Sequence, residues 1–177
     1  TNTPQHVGGL GIYDPSTAPG GFVRFKDVIA SFERRLGKLP LFRTRLVEVP
    51  GGLDRPYWIK DANFDVEFHL RHIALPEPGD WRQLCIQVAR LHSRPLDMSR
   101  PLWEAYVIEG LDNVEGVPQG SFALVTKFHH AAIDGRRLQG NEMVLAAEQI
   151  AVQVGKPVPI FVARSVRSLT ERWLGKP

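Results

Sequence analysis

The stretch KFHHAAIDG, Lys127 to Gly135, sets two adjacent histidines at the end of an apolar run and an Asp-Gly pair shortly after them. Imidazole titrates near neutral pH, so a histidine projecting from a strand end into a cleft of restricted water can take a proton from a hydroxyl. Successive side chains alternate across a strand, so His129 and His130 are expected to point in opposite directions if the strand runs that far. That counts against a shared metal ion, which needs neighbouring imidazoles on one face and further ligands; the chain offers neither CxxC nor HExxH. General acid–base chemistry uses the arrangement better. Asp134 follows once the chain has turned and is placed to fold back onto the strand end or an arginine, as scaffold more than chemist. Gly135 permits a close turn or a nearby ligand. Two satisfied core histidines followed by an ordinary Asp-Gly turn remain the alternative reading of the same residues.

The elements that would position this stretch are readable from periodicity. SFALVTKFHH, Ser121 to His130, is apolar on both alternating faces, with Phe122, Leu124 and Phe128 on one and Ala123 and Val125 on the other. Such a strand belongs in the middle of a sheet covered on both sides. PLWEAYVIEGL, Pro101 to Leu111, is a second strand, joined to it by the polar loop DNVEGVPQG. HVGGLGIYD, His6 to Asp14, reads as a strand that ends at Asp-Pro, followed by a loop, STAPGG. Phe25, Val28, Ile29, Phe32 and Leu36 recur at helical spacing before Gly37 and Pro40, and Trp81, Leu84, Cys85, Val88 and Leu91 do so between Asp80 as N-cap and Pro95 as stop. FRTRLVEV and PYWIKD read as two strands joined by a Pro-Gly-Gly turn. Phe64 to Ala74, FDVEFHLRHIA, alternates with period two and reads as one half-buried strand; His69 falls on its polar side and is expected to face solvent rather than a metal. His6 and His92 lack a ligand-like context. Beyond Gly135, Leu138, Glu142 and Leu145 to Ala147 fit another helix, VGKPVPI reads as a linker, and SVRSLTERWLGKP begins one more amphipathic stretch.

With 177 residues, 43% hydrophobic and 23% charged, the chain is long enough to bury a core of one globular domain. Its 22 Lys+Arg against 19 Asp+Glu, a formal charge of +3, are spread along the sequence, which argues against nucleic acid as a partner. Cys85 is the only cysteine, so an intrachain disulfide is excluded and a reducing, cytoplasmic compartment is expected. Its place on the apolar side of a helical pattern makes it a small buried hydrophobe rather than a nucleophile. No apolar run approaches the roughly 18 residues that span a bilayer and no signal peptide is visible, so any membrane contact is expected to be peripheral.

The heptad HHAAIDG fits HHxxxDG, the signature of the CoA-dependent acyltransferase superfamily that includes chloramphenicol acetyltransferase and peptide-synthetase condensation domains. HVGGLGIYDP, LPLFRTRL and SRPLDMSRPLWEAYVIEGL, whose Pro101-Leu102-Trp103 matches a PLW motif, resemble one branch of it in particular, the bacterial wax ester synthase/diacylglycerol acyltransferase family. The resemblance implies an α/β fold, a chloramphenicol acetyltransferase-like two-layer sandwich forming one lobe of a two-lobed enzyme. Residues 1–150 would be the N-terminal lobe, and 151–177 a linker and helical segment leading toward a C-terminal lobe. It further implies an O-acyltransferase that moves a long-chain acyl group from acyl-CoA, as co-substrate and without a cofactor, to a fatty alcohol or diacylglycerol. His130 carries over as general base, His129, Asp134 and Gly135 as supporting motif residues, and Pro101, Leu102 and Trp103 as structural or channel-shaping. For Trp103, ordinary core burial is the leading reading. The insoluble substrates imply a peripheral membrane or lipid-droplet surface. Arg136 and Arg137 depart from the small or apolar residues expected after the motif. A superfamily member acting on carrier-bound or secondary-metabolite substrates, or a non-catalytic lipid-binding lobe, are the competing assignments.

Overall fold

The computed structural model describes residues 6–134 and the backbone of 156–163. The helices expected near Leu138–Ala147 and after Ser165, Gly135 and its two following arginines, and the side chain of Asp134 lie outside the described residues.

A five-stranded mixed sheet organises the chain, in the order β4 (Leu70–Ala74), β5 (Trp103–Glu109), β6 (Phe122–His129), β1 (His6–Asp14), β7 (Lys156–Ala163). β5, β6 and β1 are antiparallel neighbours, whereas β4 runs parallel to β5 and therefore needs a crossover helix, α3 (Trp81–Ser93). A separate hairpin pairs β2 (Thr44–Val47) with β3 (Tyr57–Lys60), as the turn chemistry between them predicts.

β6 is central and covered on both sides, which is what its two apolar faces require. On one side α1 (Phe25–Leu36) lays Val28, Phe32 and Leu36 against Phe122, Leu124, Phe128, Trp103, Ala105 and Val107. On the other, Leu84, Val88 and Leu91 of α3 meet Ala123, Val125, Tyr106, Ile108, Leu10 and Ile12. The α/β class thus holds, with helical layers on both faces of the sheet. Cys85 is buried in α3 and burial pushes its thiol pKa up, in keeping with an inert hydrophobe. Gly11 lets the chain admit Tyr13: a Cβ at Gly11 would lie 2.5 Å from the Tyr13 hydroxyl, whose ring stacks on Phe122.

Two segments differ from expectation. Phe64–Ala74 is not one strand but a single helical turn, α2 (Val66–His69), running directly into β4. Asp65 caps it by accepting from the Glu67 amide, and Val66 and His69, three apart, face inward together. His69 is consequently 1% exposed instead of solvent-facing. The second segment lies in the stretch read as a linker, where Lys156–Ala163 adds β7 to the open side of β1. Its prolines are tolerated because a sheet-edge strand can leave one side of its backbone unpaired.

Candidate active site

The two histidines fall in different elements, so strand alternation does not extend to the second. β6 ends at His129, and His130 is the first residue of α4 (His130–Asp134). His129, two residues beyond Lys127, lies on the α3 side of the sheet and is partly buried; His130 is exposed. The His129 Nδ1 accepts a hydrogen bond from the Ala131 amide at 3.1 Å, so this imidazole acts as the N-cap of α4. An accepting Nδ1 leaves the proton of the neutral ring on Nε2. Burial, then the neighbouring His130 and His6, holds the His129 pKa below its ordinary value, which preserves that acceptor at neutral pH.

The PLW motif meets this turn through its backbone. The His129 amide donates to the Leu102 carbonyl at 3.0 Å, and Trp103 stands opposite Phe128 in the β5–β6 ladder. Pro101, Leu102 and Trp103 are all buried. Trp103 is 1% exposed, stacks on His69 at 4.7 Å, meets Phe42 edge-on at 5.0 Å, and donates its indole N–H to the Phe42 carbonyl at 2.9 Å. The core reading of Trp103 therefore holds. His69 in turn donates from Nδ1 to the Trp103 carbonyl at 2.8 Å.

Sequence reasoning passed over a charged cluster on the α3 side. Lys127 is 1% exposed, and its ammonium donates to the carbonyls of Leu91 at 3.0 Å and Arg94 at 2.8 Å while pairing with Glu104 Oε2 at 3.2 Å. Three acceptors match the three N–H groups of an ammonium. The Tyr106 hydroxyl donates to the same Glu104 oxygen at 2.7 Å, and burial, with Glu104 beside it, raises the Tyr106 pKa well above the usual phenol range. Next to this cluster His6, the ladder partner of His129, donates from Nε2 to the His92 carbonyl at 2.6 Å. The available signal was a lysine inside a strand apolar on both faces, with a glutamate on the neighbouring strand. Among the described residues, no group of three or more His, Cys, Asp or Glu side chains is arranged to hold a metal ion.

The mixed sheet and its covering helices share their fold with solved condensation-domain structures. The starter condensation domain of rhizomide synthetase RzmA superposes with a TM-score of 0.59 over 85% of this chain and 31% of its own, at 10% identity that speaks for the fold alone. Sequence narrows the class. The family model for the wax ester synthase/diacylglycerol acyltransferase catalytic domain matches residues 1–148, and the chain belongs to that family. The "Probable diacyglycerol O-acyltransferase tgs3" of Mycobacterium tuberculosis is 43% identical over 135 residues, which is 76% of this chain and 46% of that protein. The wax ester synthase/diacylglycerol acyltransferase of Marinobacter aquaeolei VT8 gives a TM-score of 0.55 at 34% identity, covering 80% of this chain and 33% of that one. The chain thus spans less than half the length of these relatives.

Proposed function

We propose that this chain is the N-terminal lobe of an acyl-CoA-dependent O-acyltransferase, with His130 as general base and a long-chain alcohol or diacylglycerol as acceptor. The observation that carries the reading is the non-equivalence of the two histidines: His129 is engaged in capping α4, while His130 stands exposed at the start of that helix. Family membership supplies the reaction class. His130 takes the hydroxyl proton of the acceptor, the oxygen attacks the thioester carbonyl, and a tetrahedral intermediate forms. Its collapse breaks the C–S bond, and the imidazolium returns the proton to the departing CoA thiolate. The new ester and free CoA leave, and no acyl-enzyme or cofactor is needed. An ester oxygen replaces a thioester sulfur, so binding both substrates in one cleft is the main demand on the protein. The exposed side of His130 fits a face completed by a C-terminal lobe, within the length that the relatives have beyond this chain.

The same reading places the enzyme at a membrane or lipid-droplet surface in the cytoplasm, where the acceptor is held. No helix among the described residues is long and apolar enough to cross a membrane. The test is CoA release from palmitoyl-CoA by the full-length protein, with and without hexadecanol or dioleoylglycerol. Release is expected only with an acceptor and is expected to be lost in His130→Ala while the circular dichroism spectrum is unchanged. Undiminished turnover in that variant overturns His130 as the base.

A further inference from the structure

We propose that Lys127 is a positioning residue for the acyl-transfer centre, a role that rests on the acyltransferase reading and extends it two residues upstream of the histidine pair. Lys127 and His129 share one face of β6. The Lys127 ammonium holds the Leu91 carbonyl in the last turns of α3 and the Arg94 carbonyl where the chain leaves that helix. From Arg94 the chain passes through the Asp97 turn, where the carboxylate accepts from the Ser99 amide at 2.9 Å, and reaches Leu102, whose carbonyl accepts the His129 amide. The result is a closed circuit: β6, the Lys127 side chain, the connection from α3 to β5, and back to β6 at His129. One end of that connection is held by Lys127 and the other by the His129 backbone. Loss of the first end loosens the second, and with it the turn in which His129 caps the helix that begins at His130.

The cluster is built for one purpose at a time. Glu104 faces Lys127 directly across the β5–β6 ladder and keeps its charge compensated in a buried site, while the Tyr106 hydroxyl donates to the same glutamate oxygen. The two backbone carbonyls, not Glu104, are what tie the strand to the loop. Charge compensation and positioning can therefore be separated by mutation.

The full-length protein is compared with its Lys127→Met, Lys127→Arg and Lys127→Met/Glu104→Gln variants. Lys127→Met is expected to lower kcat for acceptor-dependent CoA release by tenfold or more with KM for palmitoyl-CoA within about twofold, because the base is misplaced while the binding surfaces persist. Lys127→Arg, which keeps donors and charge, is expected to recover part of kcat. The double variant removes the uncompensated glutamate, so its Tm is expected to return toward wild type while kcat stays low. Recovery of kcat together with Tm would mean a purely structural role and overturns the proposal. Hydrogen–deuterium exchange of the His129 and Ala131 amides supplies a readout independent of turnover. Both are expected to exchange at least tenfold faster in the single and the double methionine variants, and unchanged exchange overturns the positioning role even if the wild-type protein shows no acyl transfer. Absence of turnover in wild type with the exchange result intact would instead count against the acyltransferase reading alone.

Discussion

The two faces of the sheet are covered by similar amphipathic helices yet are built on different principles. The α1 side is mainly apolar: Val28, Phe32, Leu36, Phe42, Phe128 and Trp103 interlock, and the buried imidazole of His69 spends its Nδ1 on a backbone carbonyl and stacks on Trp103. On the α3 side an apolar block of Leu84, Val88, Ile108 and Val125 gives way, toward the His129 end of β6, to Lys127, Glu104, Tyr106, His6 and His92. Apolar packing is tolerant in direction, whereas a buried ammonium with three acceptors fixes distances. Both sides bury an apolar cluster, and the α3 side alone adds the charged cluster beside the motif.

The largest effect expected from this division is at Trp103. Trp103→Ala leaves a cavity at the centre of the α1 side and orphans the Phe42 carbonyl, so a loss of about 4 kcal/mol is expected, enough to threaten folding of a marginally stable domain. Urea unfolding of Trp103→Ala and Trp103→Phe measures it, and the phenylalanine variant should retain most of the stability. Equal losses in the two would contradict burial as the main contribution of this residue and shift the weight to the indole N–H.

Acid should act mainly on the other side. His6, His92 and His129 there, and His69 on the α1 side, all have pKa values lowered by burial. Each binds a proton more readily in the unfolded chain, whose value is near 6.5. Their contribution to stability is therefore full above that pH, falls as pH drops toward each lowered pKa, and is gone below it. At His129 protonation also removes the Nδ1 acceptor and with it the cap of α4, a loss of about 1 kcal/mol. In His129→Asn, whose side-chain oxygen keeps a capping acceptor without titrating, the fall of stability between pH 7 and about pH 5 should be shallower. Urea midpoints measured across that range check it, and an unchanged slope would exclude His129 from the acid response.

Legibility from sequence followed how far each signal extends. β1 has the bounds that its pattern predicts, and α1 and α3 fall where five apolar residues recur at helical spacing, with Asp80 capping α3 by accepting from the Gln83 amide as expected. Long periodic segments outvote local exceptions. Phe64–Ala74 alternates like a strand, yet Asp65 caps a single helical turn whose inward pair is Val66 and His69, and the stacking of His69 on Trp103 favours that turn over the strand. The non-equivalence of His129 and His130 is legible in part: the strand places His129, but the turn into α4 that sets His130 apart begins where the alternating pattern ends. Lys127 is legible only as a charge inside an apolar strand with Glu104 to compensate it; the carbonyls of Leu91 and Arg94 that it holds lie far away in sequence and carry no side-chain signal.

The smallest expected effect compares the starts of the two covering helices. α3 begins with Asp80, whose carboxylate accepts from the Gln83 amide at 2.8 Å. α1 begins at Arg24, extended at φ −85° and ψ 138°, with no side-chain cap although its geometry would suit one. Asp80→Ala should cost about 1 kcal/mol, whereas Arg24→Ser should add a few tenths, since the serine oxygen can reach the amides at the start of α1 while the ring contact of Arg24 with Phe22 is exposed and weak. Thermal melts of the two variants beside wild type give opposite signs if both helices depend on their first turn. A loss in Arg24→Ser as large as that in Asp80→Ala would mean that the arginine's contacts, not the open cap, hold the start of α1.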